Sequence, residues 1–200
     1  MRIAALDQGT TSTRVLVVSD NGSADIQLSL RHQQHHPHPG WVEHDPLELL
    51  NNLQRCLEAT GQVDAIGIAN QGESCLAWDA KTGEPLSPVI VWQDNRTSAE
   101  IAQLRGDGGE ALTLERAGLP LDPYFSASKL AWIVRNLPAA QSALKAGRLR
   151  LGTTDAYFLD RLTGVFATDV TTASRTSLMN LSTGQWDSQL CELFGVPMET

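Results

Sequence analysis

The sequence predicts an α/β fold built on a mixed sheet, with three antiparallel strands at its N-terminal end and flanking helices. Three observations predict it. Short β-branched runs separated by turn residues fill the opening segment, leucines at helical spacing follow Asp45, and a uniformly apolar run, Ala65-Ile66-Gly67-Ile68-Ala69, comes after that helix. The 200 residues, 42% of them hydrophobic, suffice for one large domain or two small ones.

The first strand, Ile3 to Leu6, delivers Asp7 into a turn of glycine and hydroxyls, Gln8-Gly9-Thr10-Thr11-Ser12-Thr13-Arg14. The run Val15-Leu16-Val17-Val18 that follows is too short, and too apolar on both sides, for the helix that a Walker loop or dinucleotide fingerprint requires. The turn therefore joins two strands. Asp20-Asn21-Gly22 tolerates positive φ and predicts a hairpin into a third strand around Ile26, Leu28 and Leu30. A carboxylate at a strand end beside glycine and hydroxyls suits magnesium and phosphates. Asp7 can anchor a hydrated Mg²⁺, Gly9 lets phosphate oxygens approach backbone N–H groups, and Thr10, Thr11, Ser12 and Thr13 add hydroxyl donors. An ordinary antiparallel meander with a threonine-rich turn is the alternative.

Asp45-Pro46 opens a helix, Asp as N-cap and Pro at the first helical position, with Leu47, Leu50, Leu53 and Leu57 as its apolar stripe and Thr60-Gly61 as its stop. Ala65–Ala69 is too uniformly apolar to have a wet face and is expected inside the sheet, covered by helices, its end delivering Asn70, Gln71, Gly72 and Glu73. Cys75 to Asp79, the turn Lys81-Thr82-Gly83 and Pro88 to Trp92 read as a hairpin ending in Trp92-Gln93-Asp94. Helices are expected over Arg96–Leu104, Ala111–Ala117 and Ser128–Asn136, the last with Leu130, Ile133, Val134 and Leu137 at packing spacing. A short strand at Arg148–Leu151, a helix capped by Thr154 or Asp155 and ending before Gly164, and Leu190–Phe194 stopped by Gly195-Val196-Pro197 complete the series. Three consecutive strands followed by alternating helices and strands match a ribonuclease H-like (actin-like ATPase) arrangement. There the nucleotide lies between two similar domains, so residues 1–200 read as the first of two, without the C-terminal domain.

A net charge of −8 argues against a general nucleic-acid or anionic-membrane binder, which needs clustered Lys and Arg. No stretch approaches the roughly 20 apolar residues of a membrane span, and no signal-like apolar region follows Met1, so a cytoplasmic location is expected. Cys56, Cys75 and Cys191, odd in number and far apart, suggest neither a disulfide framework nor a zinc site.

The segments Leu6-Asp7-Gln8-Gly9-Thr10-Thr11-Ser12, Gly40-Trp41-Val42-Glu43-His44-Asp45-Pro46, Ile66-Gly67-Ile68-Ala69-Asn70-Gln71, Ile90-Val91-Trp92-Gln93, Asp122-Pro123-Tyr124-Phe125-Ser126 and Thr172-Ala173-Ser174-Arg175-Thr176 occur in order at compatible spacing. In these motifs the chain resembles the N-terminal half of the FGGY carbohydrate kinases. The resemblance implies an ATP-dependent kinase, with Mg²⁺, acting on a hydroxyl of glycerol or a related small polyol or sugar. It implies that Asp7 helps hold Mg²⁺, that Gly9, Thr10 and Thr11 line the nucleotide phosphates, and that Arg14 approaches the transferring phosphoryl group. Glu73, Trp92 and Tyr124 match the polyol-binding positions. Gly72 stands where the family carries an arginine, which implies a roomier pocket and weaker glycerol selectivity. The general base is expected in the missing C-terminal domain, so no catalytic residue is assigned and the fragment alone is expected to be inactive. A homo-oligomer is compatible with the full-length protein. A non-catalytic polyol sensor, a kinase for a larger sugar, and an actin-like or chaperone-type ATPase are the alternatives; Glu73, Trp92 and Tyr124 argue against the last.

Glu73 at a strand end and Trp92 beside Gln93 and Asp94 suit a half-wet sugar wall better than a core. Trp132 sits in a helical stripe and reads as packing. His32, His35, His36, His38 and His44 lie in a proline-interrupted stretch with nothing to fix tetrahedral geometry, so a loop is favoured over a metal cluster. Asp94 and Asp122 read as structural turn residues, and Arg175 as a structural donor or a domain-interface contact.

Overall fold

The computed structural model describes residues 1–200, which divide into two compact units, Met1–His35 with His44–Gln71, and His36–Glu43 with Gly72–Thr200. In the first unit β1 (Arg2–Gln8), β2 (Ser12–Ser19) and β3 (Ala24–Arg31) form an antiparallel meander. Gly22, at φ +83°, closes the second hairpin as the Asn-Gly pair requires. Next comes α1 (Pro46–Ala59), then β5 (Ala65–Ala69), which pairs parallel with β1 and gives the sheet order β3-β2-β1-β5. Between β3 and α1 in sequence lies the two-residue β4 (Glu43–His44).

Asp45 caps α1 as expected, its Oδ1 accepting from the Leu47 amide at 2.8 Å. The buried stripe, however, is Leu49, Leu53 and Cys56 with Asn52, while Leu47 is exposed. Leucines lie on both sides of this helix, and the register against Ala4, Leu6, Val15 and Val17 selects the face. The expectation for Ala65–Ala69 is also corrected. β5 is an edge strand with β1 as its one neighbour, and every residue in it is exposed. Its apolarity reports a strand suited to burial, and no element of this unit covers it.

The second unit holds a sheet of order β4-β7-β6-β8, from β6 (Cys75–Asp79), β7 (Val89–Ile90) and β8 (Leu149–Thr153), to which Glu43 of β4 belongs. The expected hairpin forms, with the Asp79 carboxylate accepting from the Lys81 and Thr82 amides at its turn. The helices α2 (Ser98–Gly106), α3 (Glu110–Arg116), α4 (Ser126–Asn136), α5 (Pro138–Lys145) and α6 (Thr154–Thr163) follow, α6 ending at Gly164 with φ +78°. The tail adds α7 (Val170–Ala173), the ribbon β9 (Met179–Asn180) and β10 (Gln185–Trp186), and α8 (Ser188–Phe194). Core residues Leu130, Ile133, Ala140, Leu149, Leu151, Leu178 and Phe194 pack between these helices and the sheet.

The helix α5 is absent from the sequence expectation. Leu137 alone separates α4 from Pro138, which serves as the first residue of a new helix. The segment His36–Glu43 is pinned within this unit by Asp94, whose Oδ2 accepts from the Val42 amide at 2.6 Å, and by Arg96, which reaches Glu43 at 2.7 Å and stacks on Trp41 at 3.8 Å. No helix is long and apolar enough to cross a membrane.

Candidate functional site

In the first unit, the antiparallel register of β1 and β2 sets Asp7 opposite Arg14, and the two form an ion pair, Nε to Oδ2 at 2.9 Å, each side chain about half exposed at 49% and 50%. The intervening bend is closed by the Gly9 amide donating to the Ser12 carbonyl at 2.9 Å. The Gly9 N–H is therefore committed to the turn, and a Cβ at this position would meet the same carbonyl at 3.4 Å, an ordinary van der Waals contact. Thr11 is exposed and Thr10 half-buried.

Thr13 departs from its expected role as a surface hydroxyl donor. It is fully buried, and its hydroxyl has no hydrogen-bond partner. The alternation of β2 turns it inward while Arg14 faces out. A residue the sequence reading set aside, His32, supports the turn: its Nε2–H donates to the Thr10 carbonyl at 2.9 Å, and its ring packs edge-on against His44 at 4.6 Å. Burial lowers the His32 pKa, which favours the neutral ring. The histidines thus act as packing and hydrogen-bonding groups.

In the second unit Gly72, Glu73, Trp92 and Tyr124 come together around a fifth residue, Arg175. Glu73 is buried and accepts from the Arg175 Nε–H at 2.7 Å, a pair 102 residues apart in sequence. The Tyr124 side chain lies beside Glu73 and Arg175, and burial, followed by the negative charge of Glu73, raises its pKa. Trp92 meets the Tyr124 ring edge-to-face at 5.6 Å, and its amide donates to Ser74 Oγ at 3.1 Å. The guanidinium carbon of Arg175 lies 5.0 Å from the Phe125 ring and 5.8 Å from that of Tyr124. The space vacated at Gly72 is therefore occupied on one side, because a Cβ there would lie 3.9 Å from Arg175 Cγ.

The loop carrying Tyr124 is held from beneath. Asp122 Oδ1 accepts from the Tyr124 amide at 2.8 Å, and the buried Lys129 ammonium donates to the carbonyls of Pro123, Tyr124 and Phe125 at 2.9, 2.5 and 2.9 Å. Burial lowers the Lys129 pKa to about 8. The signal available in the sequence was a lysine inside the small and apolar run Ser-Ala-Ser-Lys-Leu-Ala; a buried lysine there must find acceptors at the helix start. The arrangement brings a carboxylate, a guanidinium and a phenol together beside aromatic rings, a set chemically suited to hydroxyl groups and C–H faces. An apolar cavity of about 150 Å³ in the same unit, lined by Leu130, Leu151, Trp186 and Met198, includes none of these groups.

A family model described as the FGGY family of carbohydrate kinases, N-terminal domain, matches residues 2–200. A glycerol kinase of Rhodospirillum centenum is 46% identical over 205 residues, covering 98% of this chain and 41% of the relative. One from Nocardia farcinica is 46% identical over 204 residues with the same coverage. Among solved structures, Plasmodium falciparum glycerol kinase with ADP has a TM-score of 0.86 at 32% identity, covering 97% of this chain and 40% of that one. Xylulose kinase from Rhodospirillum rubrum has a TM-score of 0.88 at 26% identity, covering 100% and 42%. The chain thus spans about 41% of the length of the curated relatives it matches.

Proposed function

Because this chain belongs to the FGGY family of carbohydrate kinases, as its N-terminal domain, we propose that the full-length protein transfers the terminal phosphoryl group of ATP to a hydroxyl of glycerol or a related small polyol or sugar. The observation that carries the reading is the cluster of Glu73, Arg175, Tyr124 and Trp92, which offers hydroxyl-binding groups of both polarities beside an aromatic wall. Glu73 accepts from substrate hydroxyls, and Trp92 and Tyr124 pack on the carbon chain and exclude water from one side.

The half-exposed Asp7 carboxylate at a strand end, paired with a guanidinium and next to Thr10 and Thr11, fits a magnesium–nucleotide. Asp7 would hold the cation, usually through its retained waters, while Arg14, Thr10 and Thr11 would hold phosphate oxygens. When bound, the ion supplies neutralisation of charge on the phosphoryl group being transferred. Arg14 then needs to leave Asp7 only partly, since Nε alone makes the pair.

The second domain and the general base are assigned to the part of the protein outside these 200 residues, in keeping with the 41% coverage of the relatives. The test is ADP release by the full-length protein across glycerol, four- and five-carbon polyols and ketoses. Turnover of one or more is expected, with glycerol not ahead of the longer polyols by a wide margin. Absence of turnover on the whole panel would refute the kinase reading; a wide margin for glycerol would refute the selectivity.

A further inference from the structure

Glu73 is a buried carboxylate, and its cation does not come from a sequence neighbour. Position 72 has no side chain, and the Arg175 stem runs alongside it, the nearest atom to a Cβ at 72 being Arg175 Cγ at 3.9 Å. Only the Nε of Arg175 is given to Glu73. The side chain remains 39% exposed, beside the Tyr124 hydroxyl and over the Phe125 ring. A guanidinium has five donors in a fixed fork, and a pair that engages one of them leaves the others for a ligand.

The backbone around Arg175 is built to hold it there. The Arg175 and Thr176 amides close turns on Thr172 and Ala173, and the Thr176 carbonyl accepts from the Ala127 amide at 2.9 Å. Two residues on, buried Ser177 takes φ +64°, the one non-glycine residue in the left-handed region. Such a conformation costs about 1–3 kcal/mol and persists where surrounding structure imposes it, often beside a binding site.

Resting on the kinase reading above, we propose that Arg175 is a substrate-binding, specificity-determining residue: it delivers from just beyond α7 the guanidinium that grips substrate hydroxyls beside Glu73, its stem passing alongside Gly72. Charge and position, more than pocket volume, then decide which polyol binds. A side chain grown from position 72 would run along the same path, so a guanidinium placed there should be able to take over.

The test uses Michaelis titrations of the full-length protein with glycerol and xylitol. Losing one charge-assisted hydrogen bond, R175A is expected to raise the KM of the preferred polyol about 10- to 150-fold, with the KM for ATP unchanged within about twofold. R175K, which keeps the charge but not the fork, should fall between. The double variant G72R/R175A should recover most of the polyol KM lost by R175A. A polyol KM unchanged in R175A, or no recovery in the double variant, overturns the proposal. If R175A fails to fold, R175K decides by the same polyol KM criterion. A wild type that turns over neither these polyols nor any other in the panel overturns the kinase reading and this inference with it; turnover with R175A unaffected overturns the inference alone.

Discussion

The side chains gathered around Glu73 and Arg175 are supported by others whose energetics can be measured separately. Lys129 is fully buried and donates to three successive carbonyls under Tyr124, and burial brings its pKa from 10.5 to about 8. The charged groups around it, Asp94, Glu73 and Asp122, oppose that shift without cancelling it. Because the folded chain releases this proton before the unfolded chain does, the unfolded state binds more protons between about pH 8 and 10.5, and the lysine's contribution to stability rises with pH in that window. The gain is on the order of 3 kcal/mol. Urea unfolding of wild type and K129M at a series of pH values checks the sign, since other titrating groups cancel in the difference. The wild type should gain relative to K129M as pH rises from 8; a flat or falling difference would contradict it.

At the level of elements, caps fix where helices begin. Asp187 caps α8 by accepting from the Gln189 and Leu190 amides at 2.9 and 3.2 Å, and also takes Asn180 Nδ2 at 2.9 Å and Arg116 Nη1 at 2.7 Å. The Asn180 hydrogen bond, with that of Arg116, pulls its pKa down to about 2. That stabilisation is fully present above the ordinary carboxylate value of 3.8 and is lost as pH falls toward 2. D187A, which strands Arg116 and uncaps the helix, should cost about 3 kcal/mol at neutral pH by chemical denaturation. D187N, which loses only the charge, should differ from wild type near pH 6 and converge with it near pH 2. Local signals of this kind made much of the fold legible: the Asp20-Asn21-Gly22 hairpin, the Asp45-Pro46 start and the Gly164 stop depend on residues next to them in sequence. What was not legible depends on distant partners. The buried face of α1 is chosen by the sheet, since leucines lie on both sides of the helix. Pro138 could end one helix or begin another, and does both within two residues. Glu73 and Arg175 lie 102 residues apart, so no spacing rule joins them, although each was visible as a residue of interest.

For the molecule as a whole, the turn proposed to hold phosphates belongs to one unit and the cluster proposed to hold the polyol to the other, each with its own core. Neither unit supplies a carboxylate assigned to take the substrate proton. The 200-residue chain alone is therefore expected to show no kinase turnover in an ADP-release assay, and turnover at an ordinary kinase rate would contradict the two-domain reading. The division of labour is tested most directly in the full-length protein by varying ATP and the preferred polyol separately in D7A and E73A. The account predicts a split: E73A raises the KM for polyol at least about tenfold with little change for ATP, and D7A lowers kcat and weakens dependence on Mg²⁺ and ATP while sparing the polyol KM. Equal effects of both variants on both substrates, or none of either, would contradict it.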